Sequence, residues 1–113
     1  MGIVELVLFG VIALVFSPLV FPRSLTDAEA GARSAETGRP IVYWRPGCQF
    51  CLRLRLKLGR RGGTAYWVNI WSDPAAAATV RSIAQGNETV PTVVAGPEHR
   101  VNPDPRWVRD QLH

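Results

Sequence analysis

The chain has 113 residues, room for one small domain, and a formal net charge of +4 from 13 basic and 9 acidic residues. The basic residues, all arginine except Lys57, are spread along the chain with no aromatic-plus-basic recognition motif, which argues against nucleic-acid binding. Two cysteines, Cys48 and Cys51, with histidines only at 99 and 113, fit no common zinc pattern, and a structural disulfide across so short a loop would constrain the unfolded chain little; the pair therefore points to redox chemistry rather than to a metal site.

Residues 2–21, "GIVELVLFGVIALVFSPLVF", are nearly all apolar. As one helix they span roughly 30 Å, the thickness of a bilayer core. The one charge, Glu5, lies near the start, and Pro18 falls in the last turn. The reading favoured is a transmembrane anchor over 1–22, attached to the membrane through residues 2–21. A cleaved signal peptide is the rival, with "AGA" at 30–32 as its small-residue site. Arg23, Arg33 and Arg39 follow the span and no Lys or Arg precedes it, so the positive-inside rule predicts a single-pass protein with its catalytic domain in the cytoplasm. Residues 23–39 are polar and Ala-rich and read as a linker; "TDAE" at 26–29 has capping-box spacing, which allows a short helix there.

The pattern becomes regular over 40–113. "IVYW" (41–44) and "AYWVNIW" (65–71) read as buried strands. Residues 72–86 form a marked helix, with Asp73 as cap, Pro74 at the first position and Gly86 as stop. "TVVA" (92–95) and "EHRV" (98–101) flank a Gly-Pro turn as a hairpin, and a last helix starts with Asn102 as cap and Pro103 behind it. The stretch "LRLRLKL" (52–58) alternates like a half-buried strand, but between Cys48 and Gly63 there is no Val, Ile, Thr, Tyr or Trp. Leu, Arg and Lys are good helix formers, so 49–61 is read as a helix ended by Gly62 and Gly63, with leucine pairs 52/56 and 54/58 giving two apolar stripes. The predicted order is β-α-β-α-β-β-α.

A helix starting after "RPG" places Cys48 where unsatisfied backbone N–H groups lower a thiol pKa, and puts Cys51 one turn deeper on the same face. Cys48 is thus the expected attacking thiolate and Cys51 the resolving thiol. Arg45, three residues before Cys48, is a candidate to stabilise the thiolate or an incoming carboxylate; the alternative is a surface Arg ending a strand. Trp44 walls the pocket or is an ordinary buried indole.

"VYWRPGCQFC", "GNETVPTVV" and this element order resemble the glutaredoxin branch of the thioredoxin superfamily, and within it the mycoredoxins, over residues 40–113. The resemblance implies a thioredoxin-like α/β fold, here preceded by one transmembrane helix. It also implies a cis proline at Pro91 facing the cysteines, with the Val90 backbone and Thr89 beside it binding the chain of a substrate thiol. Gln49 and Phe50, between the cysteines, join Arg45 in that thiol-binding set and depart from the usual Pro-Tyr or Gly-Tyr. Glutathione-using relatives carry a Gly-Gly/Asp patch after the fourth strand; "RVNPDP" (100–105) stands there instead, which favours mycothiol as co-substrate over glutathione. The implied function is reduction of mixed disulfides between proteins and a low-molecular-weight thiol by a monomer, with no bound cofactor and no metal. The alternatives are an exported protein-disulfide oxidant or reductase, and a redox-sensing or iron–sulfur-binding module.

Overall fold

The computed structural model describes residues 2–17 and 19–112; Met1, Pro18 and His113 lie outside the described residues. Two helices lead the chain, α1 (Ile3–Val15) and α2 (Asp27–Thr37). The expected alternation follows: β1 (Ile41–Trp44), α3 (Gln49–Leu58), a 3₁₀ segment (Gly59–Thr64), β2 (Tyr66–Asn69), α4 (Pro74–Ile83), β3 (Thr92–Ala95), β4 (Glu98–Val101) and α5 (Pro105–Asp110).

One sheet in the order β2-β1-β3-β4 carries the domain, with β1 and β2 parallel and the other pairs antiparallel. All four residues of β1 are buried, as a strand covered on both faces requires. Alternation along the strands divides them. Val42 and Trp44, with Trp67 in register with Val42, face α3, while Tyr43 faces α2 and α4. Helix α3 buries one stripe, Cys51, Leu54 and Leu58; Leu56 is 65% exposed, so the second apolar stripe expected from the leucine pairs does not form. Helix α3 also stops at Gly59, earlier than expected, because Gly59 takes a positive φ of 58° and the next residues tighten into the 3₁₀ segment. Asp73 caps α4 as expected, accepting from the Ala75 amide at 3.2 Å. The last helix starts at Pro105 with Asp104 as its cap rather than Asn102; Asn102 instead turns the chain with φ of 46° and donates its amide to the Pro91 carbonyl at 2.7 Å.

The largest difference from expectation lies at the N-terminus. Helix α1 covers only 13 residues, and no helix among the described residues is long and apolar enough to cross a membrane. The apolar run does not continue as one helix. It turns after Val15 and drives Phe21 into the core, where its ring is 1% exposed and stacks on Trp44 at 4.0 Å between centroids, edge-on to Trp67 at 5.7 Å. Phe16 stacks behind it at 5.9 Å. Beyond Phe21, Leu25 donates its amide to the Trp67 carbonyl and the Ser24 hydroxyl accepts from the Asn69 amide, so these residues cover the outer edge of β2.

The 23–39 stretch, expected as a tether, carries the docked helix α2. Its capping box forms with Thr26 and Glu29 as the spacing suggested. Asp27 fixes it to the domain: its carboxylate accepts from the buried Tyr43 hydroxyl and from the Thr79 hydroxyl of α4 at 2.8 Å, while its amide donates to Asp73 at 2.7 Å. Burial, and then the Asp27 hydrogen bond, push the Tyr43 phenol well above its ordinary value. A raised acid pKa in the folded state means that the native state holds the proton longer than the unfolded chain. This contribution to stability is fully present below the unfolded phenol pKa of about 10 and is lost as pH rises beyond it. The melting temperature should therefore fall above that pH with Tyr43 in place, and fall less in Tyr43→Phe. Asp27→Ala, which strands the phenol without an acceptor, is expected to cost about 1–3 kcal/mol in denaturant unfolding at neutral pH.

Candidate active site

Strand β1 delivers the chain to the turn Arg45-Pro46-Gly47, and Gly47 takes a φ of 81°, a backbone that a residue with a Cβ would strain to adopt. The turn ends at Cys48, the N-cap of α3, whose Sγ accepts from the Cys51 amide at 3.1 Å. Cys48 and Cys51 are disulfide-bonded, with Cα atoms 5.2 Å apart. Cys51 is 0% exposed and Cys48 only 4%, so an incoming thiol reaches the pair through Cys48. The first turn of α3 carries no acidic residue, and Arg55 and Lys57 stand in the last turn. The lack of an acid near the helix start suits a negative charge on the Cys48 sulfur once the disulfide is reduced, since N–H groups and partial positive charge are presented there, while the last-turn cations complement the opposite end of the helix.

Facing Cys48 is the loop before β3. The Val90–Pro91 peptide is cis, and the Val90 carbonyl lies 3.5 Å from the Cys48 sulfur. Two contacts fix this loop: the fully buried Thr92 hydroxyl donates to the Thr89 carbonyl at 2.7 Å, and the Asn102 amide holds the Pro91 carbonyl. Val90 and Pro91 are buried, whereas the Thr89, Gln49 and Phe50 side chains are exposed around the opening. The guanidinium of Arg45 does not turn toward a carboxylate. It bonds the Pro46 carbonyl at 3.3 Å and lies 5.6 Å over the ring of Trp71, a 65% exposed indole. Trp44 is buried behind the site under Phe21, its indole N–H without a hydrogen-bond partner, so it belongs to the core more than to the pocket wall.

Beside Phe50 opens a groove of about 570 Å³ between α3 and α5, with Arg53, Lys57, Arg106 and Arg109 among its walls. Its one acid, Asp104, is paired with Arg106 at 3.1 Å, and hydrogen bonds from the Arg106 side chain and amide hold that carboxyl below its ordinary value. Sequence reasoning missed this groove and Trp71. The available signal for the groove was the spacing of Arg53 and Lys57, four residues apart on one helical face.

A strand-turn-helix cysteine pair opposite a cis proline is thiol–disulfide geometry, and the glutaredoxin family model matches residues 41–100, more than half of the chain. The chain belongs to the glutaredoxin family. No curated protein and no solved structure matches it. For a glutaredoxin the matched region begins at β1 and runs to Arg100, so it takes in both cysteines and the Val90–Pro91 loop, while α1, α2 and the core residue Phe21 precede it. Thiol–disulfide oxidoreductase chemistry follows from the family, and the paired Cys48 and Cys51 are the groups able to perform it.

Proposed function

We propose that this glutaredoxin reduces mixed disulfides formed between proteins and a low-molecular-weight thiol, with Cys48 as nucleophile. The observation that carries the reading is the placement of the Cys48 sulfur at the start of α3, against the Cys51 amide and beside the Val90 carbonyl. In the first step the Cys48 thiolate attacks the small-thiol sulfur of the mixed disulfide. The protein–thiol bond breaks, the target leaves as a thiolate and takes a proton, and Cys48 holds the small thiol as a new disulfide. Either a second molecule of that thiol attacks this bond and frees Cys48, or Cys51 attacks it, forming the Cys48–Cys51 disulfide and expelling the thiol. Two electrons pass to the target in each case. Burial of Cys51 keeps the second branch internal.

The thiol is mycothiol in the reading that the mycoredoxin resemblance supports. The four cations lining the groove next to Phe50 favour a second reading, a carboxylate-bearing thiol such as glutathione. The full-length protein assayed on one disulfide-linked protein carrying either thiol, each with its own recycling system, separates them. The mycothiol reading predicts at least about tenfold higher kcat/KM on the mycothiol adduct, a preference of about 1.4 kcal/mol. A preference for the glutathione adduct that falls in Arg53→Ala would establish the second reading, and activity on neither would overturn both.

Membrane attachment is part of the same proposal. Helix α1 exposes Ile3, Val4, Leu6, Val7, Leu8, Phe9, Val11, Ile12 and Leu14, apolar side chains on every side of the helix. A protein groove would cover one stripe of such a helix, while a bilayer covers all of it. At 13 residues, about 20 Å, it is suited to embedding in one leaflet and the interface rather than to crossing.

A further inference from the structure

Resting on that membrane reading, we infer that the domain holds an anionic phospholipid headgroup in a groove at the root of α1. The groove, about 330 Å³, starts at Pro22 and Arg23, the residues that leave the buried Phe21, and is closed by α2, the end of the 3₁₀ segment and the start of β2. Arg23, Arg33 and Arg39 line it against a single acid, Glu29. That acid is already engaged, accepting from the Thr26 amide at 3.2 Å and from the Thr26 hydroxyl at 3.0 Å. None of the ion pairs among the described residues uses Arg23, Arg33 or Arg39. Arg60 and Arg61 are exposed on the turn that forms one wall, and Gly63 leaves open space where a side chain would stand.

Charge and position together choose the occupant. Three arginines with little opposing acid match a phosphodiester, which a guanidinium grips through two parallel hydrogen bonds. Just before Pro22 the chain closes one tight fold, with the Val20 and Phe21 amides both donating to the Ser17 carbonyl. The Arg55 side chain clamps that fold by donating to the Val20 carbonyl at 2.9 Å. The groove is therefore held close to whatever depth α1 reaches, and headgroup phosphates are the anions concentrated at that level.

The test is vesicle co-sedimentation of the full-length reduced protein at physiological salt, on pure phosphatidylcholine and on phosphatidylcholine containing phosphatidylglycerol. Each is repeated with the Arg33→Ala/Arg39→Ala double variant and with Arg81→Ala/Arg100→Ala, which removes equal charge away from the groove. We expect the groove pair to lose roughly 25-fold in partitioning onto the anionic vesicles, about fivefold per arginine, with phosphatidylcholine binding unchanged and the control pair losing less than about threefold. Equal losses in the two pairs, or none in either, would overturn the headgroup site while leaving attachment through α1 intact. Binding to anionic vesicles alone, lost in the groove pair, would sustain the headgroup site and refute embedding of α1.

Discussion

Cys48→Ser should lower reduction of a thiol–protein mixed disulfide by at least about three orders of magnitude, because the oxygen left at the start of α3 cannot be displaced from or exchanged with a disulfide sulfur. Cys51→Ser should behave differently. Its position is wholly buried, so it neither meets the substrate nor exposes a new surface, and the branch in which a second small thiol clears Cys48 remains open. With excess thiol we expect Cys51→Ser to keep about a tenth or more of parental activity on mixed disulfides, and to lose nearly all activity on an intramolecular protein disulfide. Initial rates on the two substrate types read both effects. The asymmetry follows from geometry: the Cys48 sulfur lies against the Val90 carbonyl at the opening, and Cys51 lies one turn into the helix.

The second large effect is on stability. Phe21→Ala should cost about 3–5 kcal/mol, since it deletes a ring that fills the space between Trp44 and Trp67 under α3. For a domain with roughly 5–15 kcal/mol of total stability this is a large share, and it predicts a melting temperature lower by about 12–20 °C. Removing residues 2–15, which contribute no buried side chain, should leave the melt nearly unchanged. Starting the chain at Pro40 should do more harm than Phe21→Ala, because it also strips Ala30 and the Asp27 network from the sheet and uncovers the edge of β2. A 40–113 fragment that melts cooperatively at the full-length temperature would contradict this placement of the domain boundary.

That boundary was the part of the fold least legible in sequence, and the reason is physical. Local hydropathy does not distinguish a side chain buried by lipid from one buried by its own domain. Phe21 continues an apolar run begun at Gly2, but its partners Trp44 and Trp67 come from distant strands. Asp27 likewise looks like the first-turn acid of a short polar helix until Tyr43, Asp73 and Thr79 are brought to it. Local signals served well where local chemistry decides: the Asp73-Pro74 start of α4, the Thr26–Glu29 capping box and the β3–β4 hairpin all form. In α3, residue type outweighed period, and the exposed Leu56 shows that the strand-like alternation of leucine and arginine was not a burial pattern. The cysteines and the Val90–Pro91 loop were readable because short motifs mark them, whereas the groove beside Phe50 joins residues from α3 with residues from the β4–α5 connection and α5.

The most direct measurement is to trap the intermediate. Reduced Cys51→Ser protein is mixed with the thiol–protein mixed disulfide without recycling thiol, quenched with acid, and mapped by peptide mass spectrometry. The small thiol should be found on Cys48, in an amount matching the target protein released. The thiol left on the target with Cys48 unmodified, or Cys48 joined to the target protein instead of to the small thiol, would contradict nucleophilic attack by Cys48 on the thiol's sulfur.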